Sequence, residues 1–108
     1  MRIGYYQSNP EFGKNQQNLE AISVKLDAVD ADLMVLPELC VSGYQFVSQS
    51  EACELAESIP DGPTTKRLIE IARRKHMVIV AGLAELAGSS LYNSAVVVGP
   101  KGFIGSYR

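Results

Sequence analysis

The residues best placed to do chemistry lie in one stretch, Leu36–Tyr44, with the sequence LPELCVSGY. Glu38 directly follows an apolar run, at the point where the chain must leave the core. Pro37 restricts Leu36 to extended geometry and fixes its own φ angle, so it sets the direction in which Glu38 leaves the strand. A carboxylate in this position can serve as a general base. On spacing alone, a solvated or salt-bridged surface Glu is the more common interpretation.

The two cysteines and the single histidine are weaker candidates. Cys40 lies two residues from Glu38, and an extended backbone would place both side chains on the same side. A nucleophilic thiolate needs a cationic or dipolar neighbour, whereas a nearby carboxylate opposes its ionisation. We therefore predict that Cys40, and likewise Cys53 on the apolar side of a short helix, is a buried structural thiol. His76 is predicted to be a solvated or capping residue at a helix end.

Two aromatic residues and one asparagine are candidates for forming or supporting a pocket. Tyr44 and Phe46 follow the Ser42-Gly43 turn, and they either line a pocket or pack the loop down. Asn93 opens a predicted strand, where Asn is unfavourable, and a buried Asn must be hydrogen-bonded. We predict that its amide ties neighbouring loops together, including the loop that carries Glu38. Direct contact of Asn93 with a substrate is the weaker hypothesis.

Composition limits the possible partners. The chain has 108 residues, of which 46% are hydrophobic and 20% charged, with a net charge of −2. This is ordinary for one small globular domain and gives no electrostatic reason to expect nucleic acid or an anionic membrane as a partner. The apolar runs are too short for a membrane span or a signal peptide, so we expect a cytoplasmic protein with reduced cysteines. A zinc site would need three or four close His or Cys ligands, and none is expected here.

Periodicity predicts the elements that position these residues. Strands are expected at residues 2–7, 33–36, 77–83, 91–98 and 103–108, and helices at residues 15–31, 52–59 and from Thr64 or Thr65 to His76. A βαβ start followed by hairpins predicts an α/β fold with a mixed sheet. Ligands of open α/β sheets bind at the carboxyl ends of strands, which is where Glu38 lies. A nucleotide-binding domain is disfavoured because no Gly-x-Gly-x-x-Gly turn follows the first strand.

Five features of the chain resemble, in order, the N-terminal part of the nitrilase superfamily of carbon–nitrogen hydrolases. They are Gln7 in the opening strand, Val35–Glu38 with Ser42-Gly43-Tyr44, Ile79–Gly82 with Glu85, Leu91–Ala95, and Gly102–Arg108. Each feature is weak alone, but the ordered set spans nearly all of the chain. The likeness is greatest to the prokaryotic amidases, N-carbamoyl amidohydrolases and related nitrilase-like proteins.

The resemblance implies a fold, a mechanism and a set of site residues. The fold would be half of a nitrilase-like α-β-β-α sandwich, and the chemistry a cofactor-free and metal-free Glu-Lys-Cys hydrolysis through a thioester. Glu38 matches the general base, Tyr44 would wall the substrate pocket, and Glu85 and Asn93 would support the site from behind. The implied substrate is a small amide, N-carbamoyl compound or nitrile, and the complete protein would be a homo-oligomer, a dimer or higher.

The resemblance also leaves two catalytic groups unaccounted for. In the family, the Lys directly follows the Tyr-Arg pair matched by Tyr107-Arg108, and the nucleophilic Cys comes further on. Two hypotheses remain open. Residues 1–108 are the N-terminal part of one hydrolase domain, truncated before the Lys and Cys, inactive alone and paired with the remainder of the domain. Alternatively, the chain is a short non-catalytic α/β association or binding module. Apolar strands that need cover on both faces favour the first.

Overall fold

The computed structural model describes residues 1–108 as a five-stranded mixed sheet with three helices. The elements are β1 (Ile3–Tyr5), α1 (Asn15–Asp27), β2 (Leu33–Val35), α2 (Gln49–Leu55), α3 (Pro63–Lys75), β3 (Val78–Ala87), β4 (Ser90–Gly99) and β5 (Gly102–Tyr107). Strands pair in sequence order: β1, β2 and β3 are parallel, and β3, β4 and β5 are antiparallel. The predicted mixed α/β class is confirmed. None of the helices is long and apolar enough to cross a membrane.

The core lies between the sheet and the helices α1 and α3. Ile22 and Leu26 form the buried stripe of α1, as the helical spacing predicts. Fully buried residues of α3 and the sheet complete the core; they are Leu68, Ile71, Ala72, Ile79, Ala81, Leu83, Val96 and Val98. Burial of each large aliphatic side chain stabilises the fold by about 1.5–3 kcal/mol.

The starts and ends of the helices differ from the sequence prediction. Helix α1 ends at Asp27 rather than residue 31, and α2 spans Gln49–Leu55 rather than 52–59. The second difference arises because Glu57 forms a bridge to β3: its N–H donates to the Ala84 carbonyl, and the Leu86 N–H donates to the Glu57 carbonyl, both at 2.9 Å. This bridge occupies the place beside β3 beyond the end of β2.

Helix α3 begins one or two residues before the predicted Thr cap. Gly62 is the N-cap and Pro63 the first helical residue, where a missing N–H costs nothing and the fixed φ suits the helix. The cap comes instead from Glu57, whose carboxylate accepts from the Thr64 N–H at 2.7 Å and from the Thr64 hydroxyl at 2.5 Å. This cap comes from a side chain seven residues earlier, outside the helix, so the pattern of α3 itself does not predict it.

The face of the sheet opposite the helices is uncovered. On β2, Met34 is 5% exposed toward the helices, whereas Val35 on the other face is 39% exposed. Side chains of β1 and β5 extend this face, including Tyr5 and Tyr107, which are 79% and 81% exposed. Helices α1 and α3 therefore cover only one face of the sheet, and the apolar strands that are expected to need cover on both faces lack it on the other.

Candidate active site

Glu38 lies where the chain leaves β2 and crosses over β3. The Leu36 N–H still donates to the Val80 carbonyl at 2.8 Å, in register with the parallel ladder. Beyond it, the Gly82 N–H donates to the Pro37 carbonyl at 3.2 Å, and the Cys40 N–H donates to the Gly82 carbonyl at 3.0 Å. These two bonds to a single residue of β3 bracket Glu38 and Leu39. The carboxylate therefore projects from a turn that is fixed on both sides.

Two side chains contact Glu38 directly. The Asn93 amide Nδ2 donates a hydrogen bond to the Glu38 carboxylate, and the Tyr44 hydroxyl donates to the Glu38 main-chain carbonyl at 2.8 Å. The prediction that Asn93 ties the loop of Glu38 is confirmed, although Asn93 is exposed rather than buried. One contact orients the carboxylate and the other restrains its backbone.

The Glu38 carboxylate opens into a cleft of about 300 Å³ on the uncovered face of the sheet. The cleft is lined by Leu36, Glu38, Val80, Gly82, Asn93, Ser94, Ala95, Tyr107 and Arg108. A larger cleft, of about 920 Å³, lies between the starts of α1 and α3, and no predicted site residue lines it. We assign the candidate site to the smaller cleft because the positioned carboxylate is there.

The two aromatic candidates, Tyr44 and Phe46, lie in different surroundings. The Tyr44 ring is 55% exposed and does not line the cleft, although its hydroxyl reaches Glu38. Phe46 packs edge-to-face on Phe12, with ring centroids 5.5 Å apart, and so it packs the loop down. Of the two roles left open for these aromatics, Phe46 takes the packing role.

Glu85 is held on the opposite face from Glu38, beneath the helices. Its carboxylate, 3% exposed, accepts from the Ser94 hydroxyl at 2.6 Å and from the Arg108 guanidinium at 2.8 and 3.0 Å. The hydrogen bonds from Arg108 hold the pKa of Glu85 below its usual range, against the opposing effect of burial. Arg108 also lies 4.1 Å from the centroid of the Tyr92 ring. Glu85 therefore reaches the cleft only indirectly, through the end of β5.

Cys40 is a buried structural thiol, as predicted. It is fully buried, and burial raises the pKa of its thiol to about 12, with a smaller contribution from the Glu57 carboxylate. The same prediction is wrong for Cys53, which is only partly buried because the short helix α2 buries none of its residues. His76 is the exposed residue that ends α3, as predicted. The structure groups no three His, Cys, Asp or Glu side chains that could hold a metal ion.

Sequence reasoning missed the structural role of Gly82 beside Glu38. A glycine inside a buried strand often marks the close approach of another backbone, and that signal was present in Ala81-Gly82-Leu83. It also missed the pairing of Arg108 with Glu85. That pairing joins the ends of two strands and has no local signature.

The sequence pattern of the family described as carbon-nitrogen hydrolase matches residues 2–108, and the chain belongs to this family. A nitrilase from Pyrococcus abyssi (strain GE5 / Orsay) is 46% identical over 111 aligned positions, which cover 100% of this chain and 42% of the nitrilase. An (R)-stereoselective amidase from Pseudomonas sp is 37% identical over 81 positions, which cover 75% of this chain and 28% of the amidase.

Solved structures show the same relationship. The crystal structure of an N-terminal amidase superposes with a TM-score of 0.88 at 27% identity, over 96% of this chain and 26% of the amidase. The family and fold predicted from the sequence are thus confirmed. The chain spans less than half the length of each of these relatives.

Acid should remove the contribution of Glu85 to stability. Because the folded-state pKa of Glu85 is lowered, its ionised form stabilises the fold above the usual Glu value of about 4.3, and this contribution is lost as the pH falls through the lowered pKa. We expect Glu85→Gln to lower the urea-unfolding midpoint at neutral pH, and the difference from wild type to shrink in acid. Exposed Glu54 provides the control variant Glu54→Gln. A Glu85→Gln deficit that is independent of pH would contradict the ion pair.

Proposed function

We propose that this chain supplies the general base, Glu38, of an enzyme that hydrolyses a non-peptide C–N bond through a Glu-Lys-Cys thioester mechanism. The observation that carries the proposal is the turn that follows β2 and is hydrogen-bonded on both sides to Gly82 of β3. This turn directs the Glu38 carboxylate into the cleft with Asn93 bonded to it. Membership of the carbon-nitrogen hydrolase family supports the reaction class. The names of the nitrilase and amidase relatives support an amide or nitrile substrate.

In the proposed reaction with an amide, Glu38 transfers one proton in each half of the cycle. The Glu38 carboxylate takes the proton of a cysteine thiol as the sulfur attacks the carbonyl carbon, and a lysine ammonium stabilises the resulting oxyanion. The proton then passes to the nitrogen as the C–N bond breaks, which leaves a thioester and releases ammonia or an amine. Glu38 next takes a proton from water, whose oxygen attacks the thioester carbon. The acid leaves, and the proton returns to sulfur.

The lysine and the cysteine are proposed to come from a remainder of the same domain. In the family pattern, the Lys directly follows the Arg that matches Arg108. Side chains alternate along a strand, so a residue after Arg108 in continued β5 would share the face of Tyr107, which lines the cleft with Glu38. Residues 1–108 would then be the N-terminal part of one domain, and the remainder would cover the uncovered sheet face. The partial coverage of the relatives supports this division.

The rest of the proposal follows the family resemblance. The substrate is a small amide, N-carbamoyl compound or nitrile. The ring of Tyr44, which does not line the cleft within residues 1–108, would line the substrate pocket only where the remainder of the domain extends it. Asn93 and Glu85 support the site, the first by orienting Glu38 and the second by holding Arg108. The side chains of Glu38 and of the proposed lysine and cysteine supply all proton transfer and covalent chemistry, so no cofactor is needed. The complete protein is proposed to be a cytoplasmic homo-oligomer.

The alternative function is a non-catalytic association module. The observation that favours it is the uncovered sheet face, whose side chains include Ile3 and Ile104, each 62% exposed. Large exposed apolar patches mark interaction surfaces, and a second copy of the chain could bury this face as well as the remainder of a domain could. This function requires neither the lysine nor the cysteine.

Replacing the base tests the first proposal in the complete polypeptide that contains this chain. We expect Glu38→Gln to lower kcat by about 10²–10⁴-fold, the usual contribution of general acid–base catalysis, while the near-isosteric amide preserves the fold. The assay is release of ammonia from a set of small amides, N-carbamoyl compounds and nitriles. Glu54→Gln is the matched control, and Cys40→Ser should retain most activity. Wild-type kcat in Glu38→Gln would reject Glu38 as the base, and loss of activity in a folded Cys40→Ser would reject Cys40 as a purely structural thiol.

The mass of the natural polypeptide separates the two functions. We expect denaturing mass spectrometry of the protein from its source to give a chain much heavier than the 11.7 kDa of residues 1–108, because the proposed lysine and cysteine lie beyond Arg108. A mass near 11.7 kDa would mean that one chain cannot assemble the triad. The native mass of that short chain would then show whether it associates through the uncovered face.

A further inference from the structure

We propose that Gly82 is a positioning residue for Glu38: the absence of a side chain at this point of β3 admits the left-handed turn at Leu39 and sets the Glu38 carboxylate beside Asn93. The inference rests on the proposed function of Glu38 and adds a second position on which that function depends. Gly82 contributes no functional group of its own. It acts through the space that it leaves.

The packing above Gly82 leaves no room for a methyl group. A Cβ built on Gly82 would lie 2.5 Å from the Glu38 Cα, 2.9 Å from the Pro37 carbonyl oxygen and 3.1 Å from the Leu39 nitrogen. Non-bonded carbon atoms prefer separations of about 3.5–4.0 Å. All three neighbours are main-chain atoms, so no side-chain rotation can relieve the overlap. An alanine at position 82 must displace the backbone of Glu38 itself.

The backbone around Glu38 has little freedom to absorb such a displacement. Gly82 both donates to the Pro37 carbonyl and accepts from the Cys40 N–H, so the turn is anchored to the residue that would carry the methyl. Leu39 already has a φ of 47°, in the left-handed region that a Leu rarely adopts. Any movement must therefore break one of these bonds or add to that strain.

The partner of the carboxylate does not move with it. Asn93 lies on β4 opposite Ala84, and Gly82 lies opposite Ala95 in the same antiparallel ladder. The ladder holds Asn93 at a fixed distance from Gly82, whereas Glu38 sits on a separate turn above them. A displaced Glu38 backbone thus separates the carboxylate from the Asn93 amide and misplaces it in the cleft.

The requirement at Gly82 is one of space and not of backbone conformation. Its φ lies outside the left-handed region, so an alanine is compatible with its own dihedral angles. Gly105 of β5 shares that property, but nothing lies within 4 Å of the position where its Cβ would be. The two glycines are on strands of one sheet and form a matched pair. Gly105→Ala controls for the loss of strand glycine flexibility without the contact to Glu38.

The experiment compares Gly82→Ala with Gly105→Ala in the complete polypeptide. We expect Gly82→Ala to lower kcat by about 10²-fold with little change in KM, because a misplacement of about 1 Å can cost that much when substrate binding is intact. Gly105→Ala should keep wild-type kcat. The urea-unfolding midpoint of each variant reports on the fold. A folded Gly82→Ala enzyme with the kcat of Gly105→Ala would overturn the proposal.

A double-mutant cycle separates positioning from general structural damage. If Gly82 acts through Glu38, adding Gly82→Ala to Glu38→Gln should cause no further loss of the residual rate. Equal losses in both backgrounds would overturn the proposal. Wild-type activity in Glu38→Gln would reject the proposed function together with this inference, whereas an inactive Glu38→Gln with a fully active Gly82→Ala would reject the role of Gly82 alone.

A second variant covers the case in which Gly82→Ala does not fold. It adds Leu39→Gly to Gly82→Ala, because glycine adopts a positive φ without strain and lets the turn shift away from the added methyl group without the strain that Leu39 carries. We expect a lower kcat with unchanged KM in a folded enzyme. Wild-type kcat in the folded double variant Gly82→Ala/Leu39→Gly would show that a methyl group at position 82 does not misplace Glu38, and it would overturn the proposal.

Discussion

The pair of hydrogen bonds between Gly82 and the chain leaving β2 is the constraint on which the rest of the structure depends. Gly82 donates to Pro37 and accepts from Cys40, so one residue of the central strand terminates the parallel ladder and fixes the turn of Glu38. The same turn carries Cys40 into the core, where it is fully buried. Farther along β3, the bridge from Glu57 occupies the place that β2 has left. Strand β3 therefore joins the parallel half of the sheet to the antiparallel half and also holds the turn that carries Glu38.

The two faces of the sheet have different roles: the face beneath the helices holds the buried Glu85 cluster, and the uncovered face holds the candidate site. Neighbouring residues of a strand point to opposite faces, and the site uses this alternation twice. Ser94 bonds Glu85 beneath the helices, while Asn93 bonds Glu38 on the uncovered face. Arg108 pairs with Glu85, while Tyr107 lines the cleft. Asn93 and Tyr107 each stand next to a residue that is held by the Glu85 carboxylate, so an anchor on one face limits motion on the other.

Local patterns predicted those features of the fold that local interactions determine. The apolar run before Pro37 places Glu38 at a strand end, and the hairpin turns predict the antiparallel half of the sheet. The errors at the ends of α2 and α3 concern contacts between different elements. Glu57 caps α3 and bridges β3, which ends α2 early, and neither contact leaves a mark in the sequence of α2. Gly82 contacts Glu38, which is 44 positions away in sequence. A glycine within a strand indicates that another backbone approaches closely, but only the fold shows which one.

The uncovered face links completion of the fold to completion of the site. Tyr107 is 81% exposed and borders the cleft into which Glu38 projects, so a second layer that covers this face of the sheet would also cover the cleft. Removal of water from a site strengthens the electrostatic interactions within it and protects reactive intermediates from side reactions. The proposed general base, Glu38, lies at the margin of an uncovered apolar face and is thus suited to act only once that face is covered. In the proposed hydrolase, the contacts that stabilise the second layer are the same contacts that enclose Glu38, so folding of the remainder and formation of the active site are one event.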